Sequence, residues 1–144
     1  MTAYPDASFL FSLYISQENT AAACAHATTM KEPIHVGSAL SFEFANALRY
    51  AAFRKALPAS TAMTALAAFE SDIDNGVIVI PSVAWEEVHR EAERLSNIHT
   101  VRAGHTSFDI LNVATALTLK AREFLSFDAK QRTLAIAEGL KTKP

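Results

Sequence analysis

The sequence is poor in cysteine, in glycine and in charge of either sign. Its one cysteine, Cys24, excludes a disulfide within the chain, which predicts a reducing compartment, the cytoplasm. Cys24 lies in an alanine-rich stretch and is expected to be a small core residue rather than a nucleophile. No run approaches the roughly 18 uninterrupted apolar residues of a membrane span, and the first residues lack the features of a signal peptide. We therefore expect no membrane association.

The composition predicts a folded protein but says little about its partner. The chain has 144 residues, half of them hydrophobic, which is enough to bury a core as one domain over residues 1–144. The net charge is −2 and only 19% of residues are charged. Proteins that bind phosphates passively usually carry a basic excess. A nucleic-acid partner would therefore require local basic patches or metal ions.

Apolar periodicity predicts short strands alternating with helices. Helices are expected over residues 8–17, 20–30, 38–55, 58–75, 81–95, 107–122 and 128–138. Strands are expected over residues 2–5, 34–36, 77–80 and 123–126, of which 77–80 is uncharged, β-branched and typical of a strand buried on both faces. This order predicts an α/β fold with a parallel sheet and right-handed crossovers. Binding groups in such sheets gather at the carboxyl edge.

Asp6 stands at the first predicted junction between a strand and a helix. A turn or cap aspartate is the ordinary interpretation of a lone acid at such a place. Pro5 weakens the strand before it, because proline cannot donate a ladder hydrogen bond.

Glu43 is harder to explain by local structure. It lies three residues after Leu40 and four before Ala47, on the apolar face of its helix. No capping box accounts for it, and the neighbouring turns supply no basic partner. A carboxylate on a buried face requires a metal ion, a distant arginine or a raised pKa. These observations favour a functional role.

Asp109 and Asp128 each have an ordinary explanation as helix caps. Thr106 and Asp109 have the spacing of a capping box, and Asp128 with Gln131 forms a second capping pattern. Four carboxylates at one sheet edge would nevertheless repel one another unless cations lay between them. Oxygen ligands that leave several waters in place suit Mg²⁺ or Mn²⁺. Such a site can activate water against a phosphodiester.

Four segments in this order resemble the motifs of PIN domains, in particular VapC-type toxins. They are residues 4–10 with Asp6, residues 41–48 with Glu43, residues 108–117 with Asp109 and residues 124–128 with Asp128. Each motif alone is weakly specific, but their order, spacing and the overall length match across nearly the whole chain. Ile110 and Asn112 depart from the Ala and His common after the third acid.

The resemblance implies a three-layer α/β/α sandwich with a mainly parallel sheet of about five strands. It also implies a Mg²⁺- or Mn²⁺-dependent endoribonuclease that leaves 5′-phosphate and 3′-hydroxyl ends, a homodimer, and an antitoxin that blocks the acidic site. Asp6, Glu43 and Asp109 would be the principal catalytic and metal-binding acids, with Asp128 the more variable fourth. Ser8 and Ser126 match polar positions that support such a site.

Two other functions remain open at this point. One is a catalytically silent PIN-like module that acts by binding an antitoxin or RNA. The other is an aspartate phosphoacceptor domain, which lacks an obvious strand-end lysine here. Basic residues near the second and fourth motifs are candidates for contacts to RNA phosphates, although ordinary solvation explains each equally well: Arg49, Arg54, Lys55, Lys120, Arg122, Lys130 and Arg132.

Overall fold

The computed structural model describes residues 3–144, in which helices alternate with short strands. The helices are α1 Ala7–Tyr14, α2 Thr20–Thr29, α3 Ser38–Phe53, α4 Ala59–Asp74, α5 Trp85–Leu95, α6 Val101–Ala103, α7 Ser107–Thr118 and α8 Ala129–Ala137. A π-helical turn, Ser96–Thr100, joins α5 to α6. Within residues 3–144, no helix is both long and apolar enough to cross a membrane.

The strands all pair in parallel. They are β1 Ala3–Pro5, β2 Ile34–His35, β3 Ile78–Val79, β4 Glu123–Leu125 and β5 Lys141–Lys143. β4 pairs with both β1 and β5, and β2 pairs with β3. β1 also lies beside β2, so the order across the layer is β3-β2-β1-β4-β5. The predicted parallel α/β/α architecture is confirmed, with its strands hydrogen-bonded as a set of three and a set of two.

The direction in which the Pro5 nitrogen points explains how β1 accommodates a proline. The Asp6 N–H donates to the Leu125 carbonyl at 2.9 Å, so Asp6 faces β4. Successive residues of a strand alternate in direction, and the missing N–H of Pro5 therefore falls on the side of β2. This is the place where the layer divides into its two hydrogen-bonded sets. Thr2, predicted to begin this strand, lies outside the described residues.

The strand predicted over residues 77–80 is shorter and less buried than expected. Only Ile78 and Val79 form β3, and Val77 is 50% exposed. β3 pairs with β2 alone, at the margin of the layer, so it has little protein to bury against. The expectation of a strand buried on both faces was wrong here.

Other element boundaries also differ from their predicted positions. The long α3 ends before Lys55 and α7 ends before Lys120, because both lysines have a positive φ that ends a helix. The helix expected from residue 81 begins only at Trp85. Cys24 is exposed rather than a core residue, since the buried position of that turn is Ala23.

The core brings the ends of β1 and β4 together beneath the helices. Phe124 and Leu125 on β4 and Tyr4 on β1 are fully buried in one cluster with the apolar faces of the helices. The register pairs Pro5 with Leu125. The residues that follow these strands therefore emerge side by side at the carboxyl edge of the sheet.

Candidate acidic active site

Asp6 is a fully buried acid held by two hydroxyl groups. It caps α1, and its Oδ1 accepts hydrogen bonds from the Phe9 N–H at 2.9 Å and the Ser8 hydroxyl at 2.6 Å. Its Oδ2 accepts a hydrogen bond from the Ser126 hydroxyl. Burial raises the pKa of Asp6, the hydrogen bonds act against this, and the nearby charge of Asp128 raises it further. The local structure thus orients this carboxylate rigidly.

Ser8 and Ser126 also join the two strand ends. The Ser8 Oγ accepts from the Phe127 N–H at 2.9 Å, and the Ser126 Oγ accepts from the Asp128 N–H at 3.0 Å. The Phe127 bond therefore fastens the loop after β4 to the first turn of α1, whereas the Asp128 bond lies within that loop. Both serines donate hydrogen bonds to Asp6. The sequence analysis expected both residues at polar positions that support the site.

Asp128 has the capping role that its sequence pattern predicts. Its Oδ1 accepts a hydrogen bond from the Gln131 N–H at 2.9 Å at the start of α8. The residue is exposed, and within residues 3–144 its Oδ2 accepts no hydrogen bond. A carboxylate has about four lone-pair positions, so capping leaves room for a further ligand.

Glu43 is half-buried rather than buried. The fully buried stripe of α3 is Leu40, Phe44 and Leu48, and Glu43 borders it, with its Oε2 accepting a hydrogen bond from the Asn112 Nδ2 at 3.0 Å. Burial raises the pKa of Glu43, the Asn112 bond lowers it, and the charges of other acids raise it again. Those acids are Asp6 and Asp109. In the described part of the chain, Glu43 has no salt bridge to a basic residue.

Asp109 forms the expected capping box at the start of α7. Its N–H donates to the Thr106 Oγ1 and its Oδ2 accepts from the Thr106 N–H, both at 3.4 Å. These bonds are long, and Asp109 is half-buried. Its charge acts on Glu43, so capping and proximity to the other acids coexist.

The four predicted acids therefore form a chain of electrostatic neighbours. The charge of Asp128 raises the pKa of Asp6, and the charges of Asp6 and Asp109 raise the pKa of Glu43. Within residues 3–144, no three Asp, Glu, His or Cys side chains approach closely enough to form a ready-made metal cage. Mg²⁺ commonly binds through one or two carboxylates, keeps several waters and takes its remaining ligands from substrate phosphates. The hard-oxygen donors and the mutual repulsion at this edge fit such an ion.

Asn112 is a site residue that sequence reasoning treated only as a departure from a motif. It is 2% exposed and lies three residues after Asp109, on the same face of α7. That spacing was the available signal, because it places an amide beside the acid at the start of the helix. What the sequence does not show is that α3 brings Glu43 to this amide.

Tyr4 sets where α3 begins. Its fully buried hydroxyl accepts a hydrogen bond from the Gly37 N–H at 3.2 Å, at the N-cap of α3. Burial raises the pKa of Tyr4, so this hydroxyl stays protonated. A Cβ on residue 37 would lie 2.6 Å from the Tyr4 oxygen, which is why glycine fits here. The contact ties the helix of Glu43 to the strand of Asp6.

Two of the candidate basic residues donate to backbone carbonyls rather than to the acids. Arg132 donates to the carbonyl oxygens of Ser126 at 2.7 Å and of Pro144 at 3.0 Å. Lys130 donates to the Gly104 carbonyl at 3.3 Å, in the loop before α7. Arg54 instead stacks on the exposed ring of Tyr50, 5.2 Å from its centroid.

Comparison with solved structures identifies the fold. The chain is similar to VapC20 of Mycobacterium tuberculosis, a toxin that cleaves the sarcin–ricin loop, with a TM-score of 0.71, 14% identity and coverage of 99% of this chain and 100% of that one. It is similar to VapBC2 of Rickettsia felis bound to a promoter DNA fragment, with a TM-score of 0.71, 12% identity and coverage of 99% and 98%. It is also similar to VapBC-1 of nontypeable Haemophilus influenzae, with a TM-score of 0.65, 14% identity and coverage of 99% of this chain and 97% of that one.

These likenesses extend over the full length of the chain. No protein-family model and no curated protein sequence matches it. The fold is α/β with a parallel central layer, and it is the PIN-domain fold of VapC-type toxins.

Proposed function

We propose that this protein is a metal-dependent endoribonuclease that hydrolyses RNA phosphodiester bonds. Asp6, Glu43, Asp109 and Asp128 would hold Mg²⁺ or Mn²⁺. The observation that carries the proposal is the carboxyl edge itself, where the buried Asp6 and the half-buried Glu43 have raised pKa values, to which neighbouring acids contribute, without a salt bridge to a basic residue among the described residues. It occurs in a fold shared with VapC20, a toxin that cleaves the sarcin–ricin loop.

The bound metal ion and the residues around the acids would have different roles in catalysis. A bound divalent cation would supply Lewis acidity and lower the pKa of a coordinated water. Ser8 and Ser126 keep Asp6 oriented, and Asn112 stabilises the ionised form of Glu43. Ionised acids are the form that binds a cation. Cleavage would leave 5′-phosphate and 3′-hydroxyl ends.

The proposal includes a role as the toxin of a toxin–antitoxin pair. The structures named VapBC2 and VapBC-1 are similar to this chain over nearly all of its length. We infer a cognate antitoxin that covers the acidic edge, and a homodimer as the assembly. A reducing cytoplasm remains the compartment predicted by the single cysteine.

A cleavage assay tests the proposed function. Purified wild-type protein, Asp6→Asn and Asp109→Asn are incubated with structured RNA in Mg²⁺, in Mn²⁺ or in chelator, with Asp74→Asn as a matched control because Asp74 is an exposed acid at the end of α4. Wild type and Asp74→Asn should cut the RNA only when metal is present, and the other two variants should lose at least about 100-fold in rate.

Two results would contradict the proposed function. Undiminished cleavage by Asp6→Asn and Asp109→Asn would show that the acids do not perform the chemistry. Binding of RNA or of an antitoxin without metal-stimulated cleavage by the wild type would favour the silent PIN-like module instead.

A further inference from the structure

A cavity of about 380 Å³ lies beside the acidic edge, between α5, the π-helical turn and the start of α7. We call it the α5–α7 cavity. Its lining combines apolar and polar side chains, among them Ala92, Ile110, Leu111, Thr100, His105 and Thr106. Small-ligand sites have volumes upward of roughly 300 Å³, with mostly apolar walls and a few oriented polar groups. The cavity is therefore large enough for one small planar group.

The cavity adjoins the acids through the first turn of α7. Thr106 and Ile110 line it, and they flank Asp109 in the sequence. His105 lines it too; burial lowers the pKa of its imidazole, and the charges of Asp109 and Asp128 act against this. A chain whose phosphodiester lies at the acids would thus have a neighbouring group at the cavity.

Two polar atoms of the lining are buried without a partner. They are the Thr100 Oγ1 and the His105 Nδ1, neither of which has a hydrogen-bond partner within residues 3–144. Buried polar groups are nearly always satisfied, so such atoms require an explanation. Both atoms are shielded from solvent in this structure, so a ligand that offers a donor and an acceptor would satisfy them after a side-chain rotation of Thr100 and His105.

The π-helical turn that carries Thr100 is held in place from outside the cavity. His99 Nε2 lies 2.7 Å from Glu138 Oε1, and Arg94 also contacts Glu138. These contacts fasten the end of α5 and the turn to the end of α8. π-helical turns occur frequently at functional sites. The position of Thr100 is thus set by an anchored segment rather than by a free loop.

We propose that the α5–α7 cavity binds one unpaired base of the RNA, adjacent to the scissile phosphodiester, and so determines sequence preference; this inference rests on the proposed function. A base has apolar faces and polar edges, as the lining has. Sequence-specific recognition of RNA takes place mainly on unpaired bases that leave the stack. Lys130 donates to the carbonyl of Gly104, the residue before His105, and its ammonium group would be the contact for a flanking phosphate.

The test measures dependence on a single base. Single-stranded RNAs carrying an abasic residue at each position in turn are bound to protein in Mg²⁺, in an Asp6→Asn background that prevents cleavage. One abasic position should weaken binding by about tenfold. Thr100→Val removes the hydroxyl and Ala92→Leu fills the cavity, and either should abolish the dependence on that position. Thr118→Val, a half-buried threonine at the far end of α7, should retain it.

Each result has a definite meaning. Thermal melting of every variant shows whether it is folded, and Thr100→Val keeps the shape of the side chain. Equal dependence on the abasic position in all variants, dependence at no position, or no RNA binding at all would overturn the base site. Sequencing the products that the active forms cut from a random RNA pool separates the two proposals. If Thr100→Val cleaves RNA in a metal-dependent way with an unchanged sequence preference, the claim that the α5–α7 cavity binds a base is refuted. The proposed function would still stand.

Discussion

Replacement of Asn112 by leucine should reduce catalysis at low pH by removing one hydrogen bond to Glu43. The Asn112 Nδ2 lies 3.0 Å from the Glu43 Oε2, and this bond acts to lower the pKa of Glu43. A hydrogen bond to a charged group contributes about 1.5–3 kcal/mol, and the low end applies because Glu43 is half-exposed. About 1.4 kcal/mol is tenfold. We therefore expect a loss of about tenfold in kcat/KM at pH values below the pKa of Glu43, where the ionised fraction of Glu43 limits the rate.

The sign of the pH dependence distinguishes this mechanism from a general loss of structure. Without the amide, the pKa of Glu43 rises, because the bond had favoured the ionised form. The rising limb of the rate–pH profile should move to higher pH, and activity should recover as the pH is increased. Asn112→Asp places a carboxylate against Glu43 and should cause a larger loss. Asn46→Leu, on an exposed position of α3, is the control.

The assay is metal-dependent cleavage of a labelled RNA across a range of pH, together with the Tm of each variant. A rate and a pH profile of Asn112→Leu that match wild type would refute the reasoning. So would a tenfold loss that is constant with pH, because it would show that Asn112 does not act through the ionisation of Glu43.

Three further predictions concern the fold and its acids. Mn²⁺ at about 100 times its Kd should raise the Tm of wild type and Asp74→Asn by roughly 10 °C but leave Asp6→Asn unchanged, and an equal rise in all three would contradict the site. In chelator, the raised pKa of Asp6 in the folded state means that Asp6 stabilises the fold at pH values below the usual carboxyl pKa and that this stabilisation is lost as the pH rises through the folded pKa. The Tm of wild type should therefore fall relative to that of Asp6→Asn as the pH rises between these two pKa values, and a relative rise would contradict the raised pKa. Gly37→Ala should lower the free energy of unfolding by about 1–3 kcal/mol, because the new Cβ crowds the Tyr4 hydroxyl. In a double-mutant cycle measured by chemical denaturation, Tyr4→Phe should recover part of this loss, and strictly additive losses would exclude the clash.

The junction acids could be placed from sequence because strand and helix signals are local. Asp6 and Asp128 each follow a strand and cap a helix, and parallel strands bring their carboxyl ends to one edge. The capping of Asp109 was equally readable from its spacing to Thr106. Proximity of the acids then follows from topology, which the alternating pattern predicts.

The rest depends on packing between distant segments. Periodicity placed Glu43 on the apolar face, but helix packing leaves it at the border of the stripe, where the α7 amide reaches it. β5 was not predicted, because its Lys-Thr-Lys sequence lacks apolar alternation and its partner, β4, supplies the pairing. The π-helical turn has no sequence pattern that separates it from the end of α5.

The most direct test of the acidic site is a crystal structure of the protein soaked in Mn²⁺, with anomalous diffraction data collected to locate the ion. We expect an anomalous peak at roughly 2.0–2.2 Å from a carboxylate oxygen of Asp6 or Glu43, completed by water and by oxygens of Asp109 or Asp128. A peak elsewhere, or no peak at this edge at saturating Mn²⁺, would contradict the claim that these acids hold a catalytic metal.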